Sequence, residues 1–148
     1  MTGAGTVAVD AAQGLAVRGD LAASLALYAE RHGDPFDRVY ARLFDLCPET
    51  CTLFLLDRNG AARGNMLANV LDVLLDLDGA RDYARNMIAA EVRNHIDMGV
   101  DPSTFVRFFD VLREVVREGL GDDWSDAMAR GWDAAVGDAV AAAGCAEG

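Results

Sequence analysis

From position 20 almost to the end of the chain, apolar residues recur at three- and four-residue spacing, and nowhere do they alternate with period two for long. That pattern admits helices and excludes a sheet of any size. Asp20 opens the first such stretch as a candidate cap, Leu21, Leu25 and Tyr28 form its face, and Gly33 is a candidate stop. Pro35 suits a first helical turn, and Phe36, Val39, Tyr40, Leu43, Phe44 and Cys47 follow until Pro48 interrupts the helix. A short turn through Phe54 and the sequence DRNG from Asp57 to Gly60 come next. The pattern then predicts a long helix from about 61 to 77, whose apolar residues cover more than one stripe and require burial on two sides. A helix from about 80 to 98 follows, with Gly99 as its stop. Asp101-Pro102 is a cap and first-turn pair opening a helix that carries Phe105, Phe108, Phe109 and Leu112, with Gly119 and Gly121 as its stops. In the last helix, starting near Asp123 or Ser125, Trp124, Met128, Trp132, Val136 and Val140 step by four. The result is one all-α domain over 18–144, preceded by a Gly-rich segment, 1–17, that reads as a flexible arm.

Composition narrows the function. The 148 residues are 52% hydrophobic, enough for one packed core. The formal net charge is −11, and all 13 basic residues are arginines interspersed with acids. Phosphate backbones and anionic membrane surfaces call for clustered positive charge, so no nucleic acid and no membrane is expected as a partner. No apolar run approaches the roughly 18 residues that cross a bilayer. The first residues carry no positive charge ahead of their apolar stretch, which makes a poor secretion signal and points to a cytoplasmic location. The three cysteines, Cys47, Cys51 and Cys145, are too few and too far from paired histidines for a zinc site and read as semi-buried thiols.

Only two histidines are present. His32 lies at a helix end, where an imidazolium interacts well with the helix dipole. His95 lies late in a long helix, on a side shared with Ile88 and Val92, where a core histidine and a metal or haem ligand are both admissible. Hydrolase elbows, phosphate loops and paired zinc-binding histidines are missing. A carboxylate-bridged di-iron centre would need two Glu-x-x-His motifs and two further glutamates, where this chain has only the one Glu-x-x-x-His step of Glu91 and His95.

The order Tyr40-x-Arg42-Leu43-Phe44, Pro48, Phe54, then GNMLANVLDVLLDL, then His95 with Gly99-Val100, and finally Glu118-Gly119-Leu120-Gly121 with Trp132 resembles the bacterial single-domain globins and the globin module of flavohaemoglobins. The resemblance spans roughly 20–142. It implies a globin-like fold of six to eight helices and a haem b between the helices at 61–77 and 80–98. His95 falls at the proximal iron ligand, and the Glu91 carbonyl one turn earlier is the nearest acceptor for its Nδ1–H. The same resemblance places Phe54 on the haem face, or as a plain loop anchor. It makes Tyr40 a distal donor to a bound gas, or a tyrosine with its hydroxyl at the surface. The distal position that often carries Gln or His reads Ala62, or Arg63 after a one-residue slip, and Arg63 is a candidate partner for a haem propionate. Met66, Val70, Ile88, Val92, Val100, Phe105 and Phe108 are expected around the cofactor, with Trp132 behind it.

The places where flavohaemoglobins carry a tyrosine and a glutamate behind the proximal histidine read Phe105 and Ala134, which weakens electron push. The leading expectation is therefore reversible binding of a diatomic gas, most plainly oxygen, by a monomer or by a homodimer formed through Phe109 and Trp124. Nitric-oxide dioxygenase or peroxidase-like turnover with an external reductase, and a haem-free sensor or interaction module, are the competing expectations.

Overall fold

The computed structural model describes residues 19–147, with side chains to residue 144. The segment 1–17 and the Cys145 side chain lie outside the described residues. Within them the chain is all-α: α1 (Asp20–His32), α2 (Phe36–Leu46), a 3-10 segment (Pro48–Phe54), α3 (Ala61–Asp78), α4 (Ala84–Asp97), α5 (Pro102–Leu120), a 3-10 turn (Gly121–Asp123) and α6 (Asp126–Glu147). α3 and α4 form an antiparallel pair, and α6 packs across α1, α3, α4 and α5. α2 leans on α5, so the 3-10 segment that follows it reaches toward the ends of α3 and α4.

Local chemistry sets most boundaries where the sequence places them. Gly33 ends α1 with a φ of 74°, and Gly99 follows α4 with a φ of 86°; both lie in the left-handed region that glycine occupies without a steric penalty. Asp101 accepts the Ser103 N–H at 2.9 Å and caps α5, with Pro102 in the first turn. The Ser125 hydroxyl accepts the Met128 N–H at 3.0 Å and so caps α6.

Three boundaries differ from the sequence expectation, each because a distant group intervenes. Asp20 does not cap α1. Its place is taken by Asp78, at the far end of α3, whose carboxylate accepts the Ala22 N–H at 3.0 Å. Burial raises the Asp78 carboxyl above its ordinary value against the opposing pull of those backbone bonds. α4 starts at Ala84 and not near 80, because the buried Asp76 carboxylate accepts the N–H groups of Asp82, Tyr83 and Ala84 at 3.0, 3.1 and 2.9 Å. These bonds hold 79–83 as a tight loop, with Arg81 at a φ of 62°. Gly119 does not stop α5, which runs on to Leu120; a Cβ there would overlap the Tyr28 ring, so glycine is needed for the approach of α1.

The centre of the fold is an apolar cluster drawn from all six helices. Trp132 is fully buried in this core. Its indole N–H donates to the Ser24 hydroxyl at 2.7 Å, and that hydroxyl donates to the Leu21 carbonyl at 2.6 Å. This relay pins α6 to α1. Phe109, at 2% exposure, is a core residue and is withdrawn from the dimer face expected from sequence, of which Trp124 is partly exposed. Cys47 is buried and Cys51 exposed, so they share no face.

Ser24→Ala strands a buried indole N–H, and a lost partner of this kind costs about 1–3 kcal/mol. Urea unfolding should show that loss as a lower midpoint with an unchanged slope.

Candidate functional site

α3 and α4 diverge from their connecting loop, and the space between them is closed by the 3-10 segment on one side and by α5 on the other. The resulting cavity has a volume of about 770 Å³, in the range that takes a sizeable organic ligand. Its distal wall is Leu43, Phe54, Met66, Val70 and Val73. Ile88, His95, Val100, Phe105 and Phe108 form the opposite side. The mouth carries the exposed side chains of Leu53, Leu56 and Met98, and the amides Asn65 and Asn69 stand on the exposed edge of α3.

His95 is the one imidazole in this apolar enclosure, and its side chain is 20% exposed. Its Nδ1 lies 2.7 Å from the Glu91 carbonyl, the acceptor expected from sequence. A carbonyl cannot donate, so a proton sits on Nδ1, and in the neutral ring Nε2 carries the lone pair free to ligate. The Glu91 carboxylate is 3.9 Å from the same nitrogen, too far to share that hydrogen. The Phe105 ring meets the imidazole edge-on, with centroids 4.9 Å apart, and fixes its plane. Among the described residues no three His, Cys, Asp or Glu side chains converge as a metal cage. A metal held here must therefore bring most of its own ligands.

Of the residues singled out in the sequence, Phe54, Ala62, Met66, Val70, Ile88, His95, Val100, Phe105 and Phe108 line the cavity. Tyr40, Arg63 and Val92 do not. Val92 is turned from His95 by roughly 60° around α4 and is fully buried in the core. The positions that accompany His95 are instead Glu91 and Met87, each four residues further back. That four-residue ladder was legible in the sequence, as was the Ala62, Asn65, Asn69 and Val73 ladder of α3.

Tyr40 is 2% exposed and sits behind the cavity wall. Its ring packs edge-on against Phe54 and Phe108, at 5.8 and 5.7 Å, and both of those rings face the cavity. The phenol donates to the Arg63 carbonyl at 2.6 Å and not to the surface. Burial pushes its pKa well above the ordinary phenol value, so the hydroxyl stays protonated and remains a donor.

Arg63 is held outside the cavity by Asp57. The Asp57 carboxylate accepts the N–H groups of Ala62 and Arg63 and the Arg63 Nε–H, each at 3.0 Å. The Asp57 carbonyl also takes the guanidinium, at 3.1 Å, and the guanidinium lies over the Phe36 ring, 5.4 Å from its centroid. One carboxylate thus caps α3 and neutralises the cation nearest the mouth. Sequence reasoning placed Asp57 in a turn and missed this role; the signal was an Asp five residues before a candidate first-turn N–H. Desolvation pushes the Asp57 carboxyl up, but the two backbone bonds and the guanidinium together bring it below its usual value.

The globin family model matches residues 37–143. The chain belongs to the globin family. Searches of curated proteins and of solved structures return no match. Globins as a family bind haem and diatomic gases, and the all-α order of this globin places a single imidazole and a deep apolar cavity between two antiparallel helices. No helix among the described residues is long and apolar enough to cross a membrane. Seven arginines of this globin, including Arg31, Arg42 and Arg117, are ion-paired with Asp or Glu.

Because the folded Asp57 carboxyl binds its proton less tightly than the unfolded one, its contribution to stability is complete above the usual carboxylate range. It is lost as pH falls through the folded value. The gap in thermal midpoint between wild type and Asp57→Ala should therefore be widest at neutral pH and narrow below about pH 4, as followed by circular dichroism.

Proposed function

We propose that this globin holds a haem b between α3 and α4, with His95 as the proximal ligand, and reversibly binds a diatomic gas, oxygen foremost. The observation that carries the proposal is the orientation of His95. An imidazole whose Nδ1–H is held by the Glu91 carbonyl lines an open-mouthed, mainly apolar cavity, which leaves Nε2 as the nitrogen for a ligand there.

The residues present fit a porphyrin. Phe54 and Met66 offer apolar surface on the distal side, and Ile88, Val100 and Phe105 offer it around the imidazole. A single protein ligand suits an iron that arrives already coordinated by four porphyrin nitrogens. Among the described residues no cysteine lines the cavity, which favours non-covalent retention and hence the b type. When bound, haem supplies an iron with one open face for a gas. The chain's part is to orient the imidazole, exclude water and shape that open face.

Several features favour gas binding over turnover. The Nδ1 partner is a neutral carbonyl, and the Phe105 ring abuts the imidazole where an acceptor would be needed to increase electron push. Ala134 is exposed on α6, and the neighbouring Asp133 pairs with Arg113 at 3.1 Å on the surface. Within the globin family matched over 37–143, the order of residues from Tyr40 to Trp132 favours the bacterial single-domain type.

Purified protein titrated with hemin should develop a Soret band at one equivalent. His95→Gly should lose the five-coordinate ferrous spectrum and regain it on adding imidazole, which occupies the vacated volume. A protein that takes up no hemin, or a His95→Gly variant with an unaltered ferrous spectrum, would refute the proposal.

A further inference from the structure

The gas that a haem globin prefers depends on whether its distal side offers a hydrogen-bond donor. Dioxygen draws negative charge onto its outer atom when it coordinates, and a donor there holds it. Carbon monoxide acquires little such charge and gains little from the same donor. The distal wall described above is Leu43, Phe54, Met66, Val70 and Val73, none of which carries a polar hydrogen.

The polar groups near that wall are already committed or lie on the solvent-exposed side of α3. The Thr50 hydroxyl, buried, donates to the Cys47 carbonyl at 2.7 Å. Arg63 is bound by Asp57. Asn65 and Asn69 line the cavity from the solvent-exposed side of α3, turned roughly 100° and 60° from Met66 around the helix. Tyr40 is screened by the rings of Phe54 and Phe108, and its one hydrogen is used on the Arg63 carbonyl at 2.6 Å.

We propose that Tyr40 is a structural pin between α2 and the first turn of α3, and that the distal cavity donates no hydrogen bond to its ligand, so the protein releases oxygen quickly and favours carbon monoxide strongly over it. This inference rests on haem ligation by His95. The geometry has a clear alternative, in which the phenol leaves the carbonyl and enters the cavity once a ligand is present. That rotation would break a short bond in a buried site, leave the Arg63 carbonyl without this donor, and require Phe54 or Phe108 to move aside. The upward shift of the Tyr40 pKa is in keeping with a dry, enclosed position.

The test uses the haem-loaded protein and needs no variant for its first arm. The C–O stretching band of the carbon monoxide complex should match that of imidazole-ligated CO-haem in a dry apolar solvent. A band shifted clearly to lower frequency would reveal a donor and overturn the inference. In the second arm, Tyr40→Phe should leave that band in place and change the oxygen dissociation rate by less than about twofold, while lowering the thermal midpoint of the haem-free protein. Acceleration of oxygen release by about tenfold or more, the equivalent of one lost hydrogen bond to the gas, would overturn it. Failure to take up hemin at all would overturn both this inference and the proposed function. A low-frequency C–O band in a haem-loaded protein would overturn this inference alone.

Discussion

A cavity of about 770 Å³ inside so short a chain forfeits core contacts, and the ends of the helices around it are tied by carboxylates. Three aspartates do this. Asp57 fastens the start of α3, Asp76 the start of α4 and Asp78 the start of α1. Two of the three sit in the last turn of α3, which therefore holds the N-termini of two other helices as well as forming one wall itself. A carboxylate at a helix N-terminus satisfies orphan N–H groups and meets the positive end of the dipole together. Asp78 reaches α1 across the fold, so its cap is also a tertiary clamp, while Asp57 and Asp76 cap helices that begin a few residues further along the chain.

Against that frame the chemistry is concentrated in one ring. The bond from His95 Nδ1 to the Glu91 carbonyl is local to α4 and needs nothing from the rest of the chain, while the enclosure that gives Nε2 its purpose needs α3, α5 and the 3-10 segment. The division is economical in a physical sense: ligand orientation depends on one helical turn, and ligand environment on the long-range packing. The aromatic group of Phe36, Tyr40, Phe44, Phe54 and Phe108 joins the two, because its inner rings face the cavity and its outer ones hold α2 against α3.

Much of this was legible in the residues. Helical spacing, the glycines at 33 and 99, and the Asp101-Pro102 pair located most elements, because each acts within a few residues of itself. His95 and its carbonyl partner were legible for the same reason. What was not legible came from distance. Asp76 and Asp78 look like ordinary charged positions in an apolar helix until the loop and α1 fold back on them. Trp132 steps in register with Trp124 and Met128, but only the arrival of Ser24 decides which way its ring is used. For Tyr40 the sequence supplied a residue type and a helix face, and the direction of the phenol depended on how close the first turn of α3 comes to α2.

The Asp76 clamp has a mechanical consequence. It fastens the end of α3 to the start of α4, while the Asp57 carboxylate and the Tyr40 bond to the Arg63 carbonyl hold the start of α3, so the wall that α3 forms is tied at both ends. The crevice has its rim where Ala61 and Ala62 of α3, His95 and Met98 of α4, and Leu56 come together. Whatever enters there passes far from the 76–84 loop, the part of the molecule that its passage disturbs least.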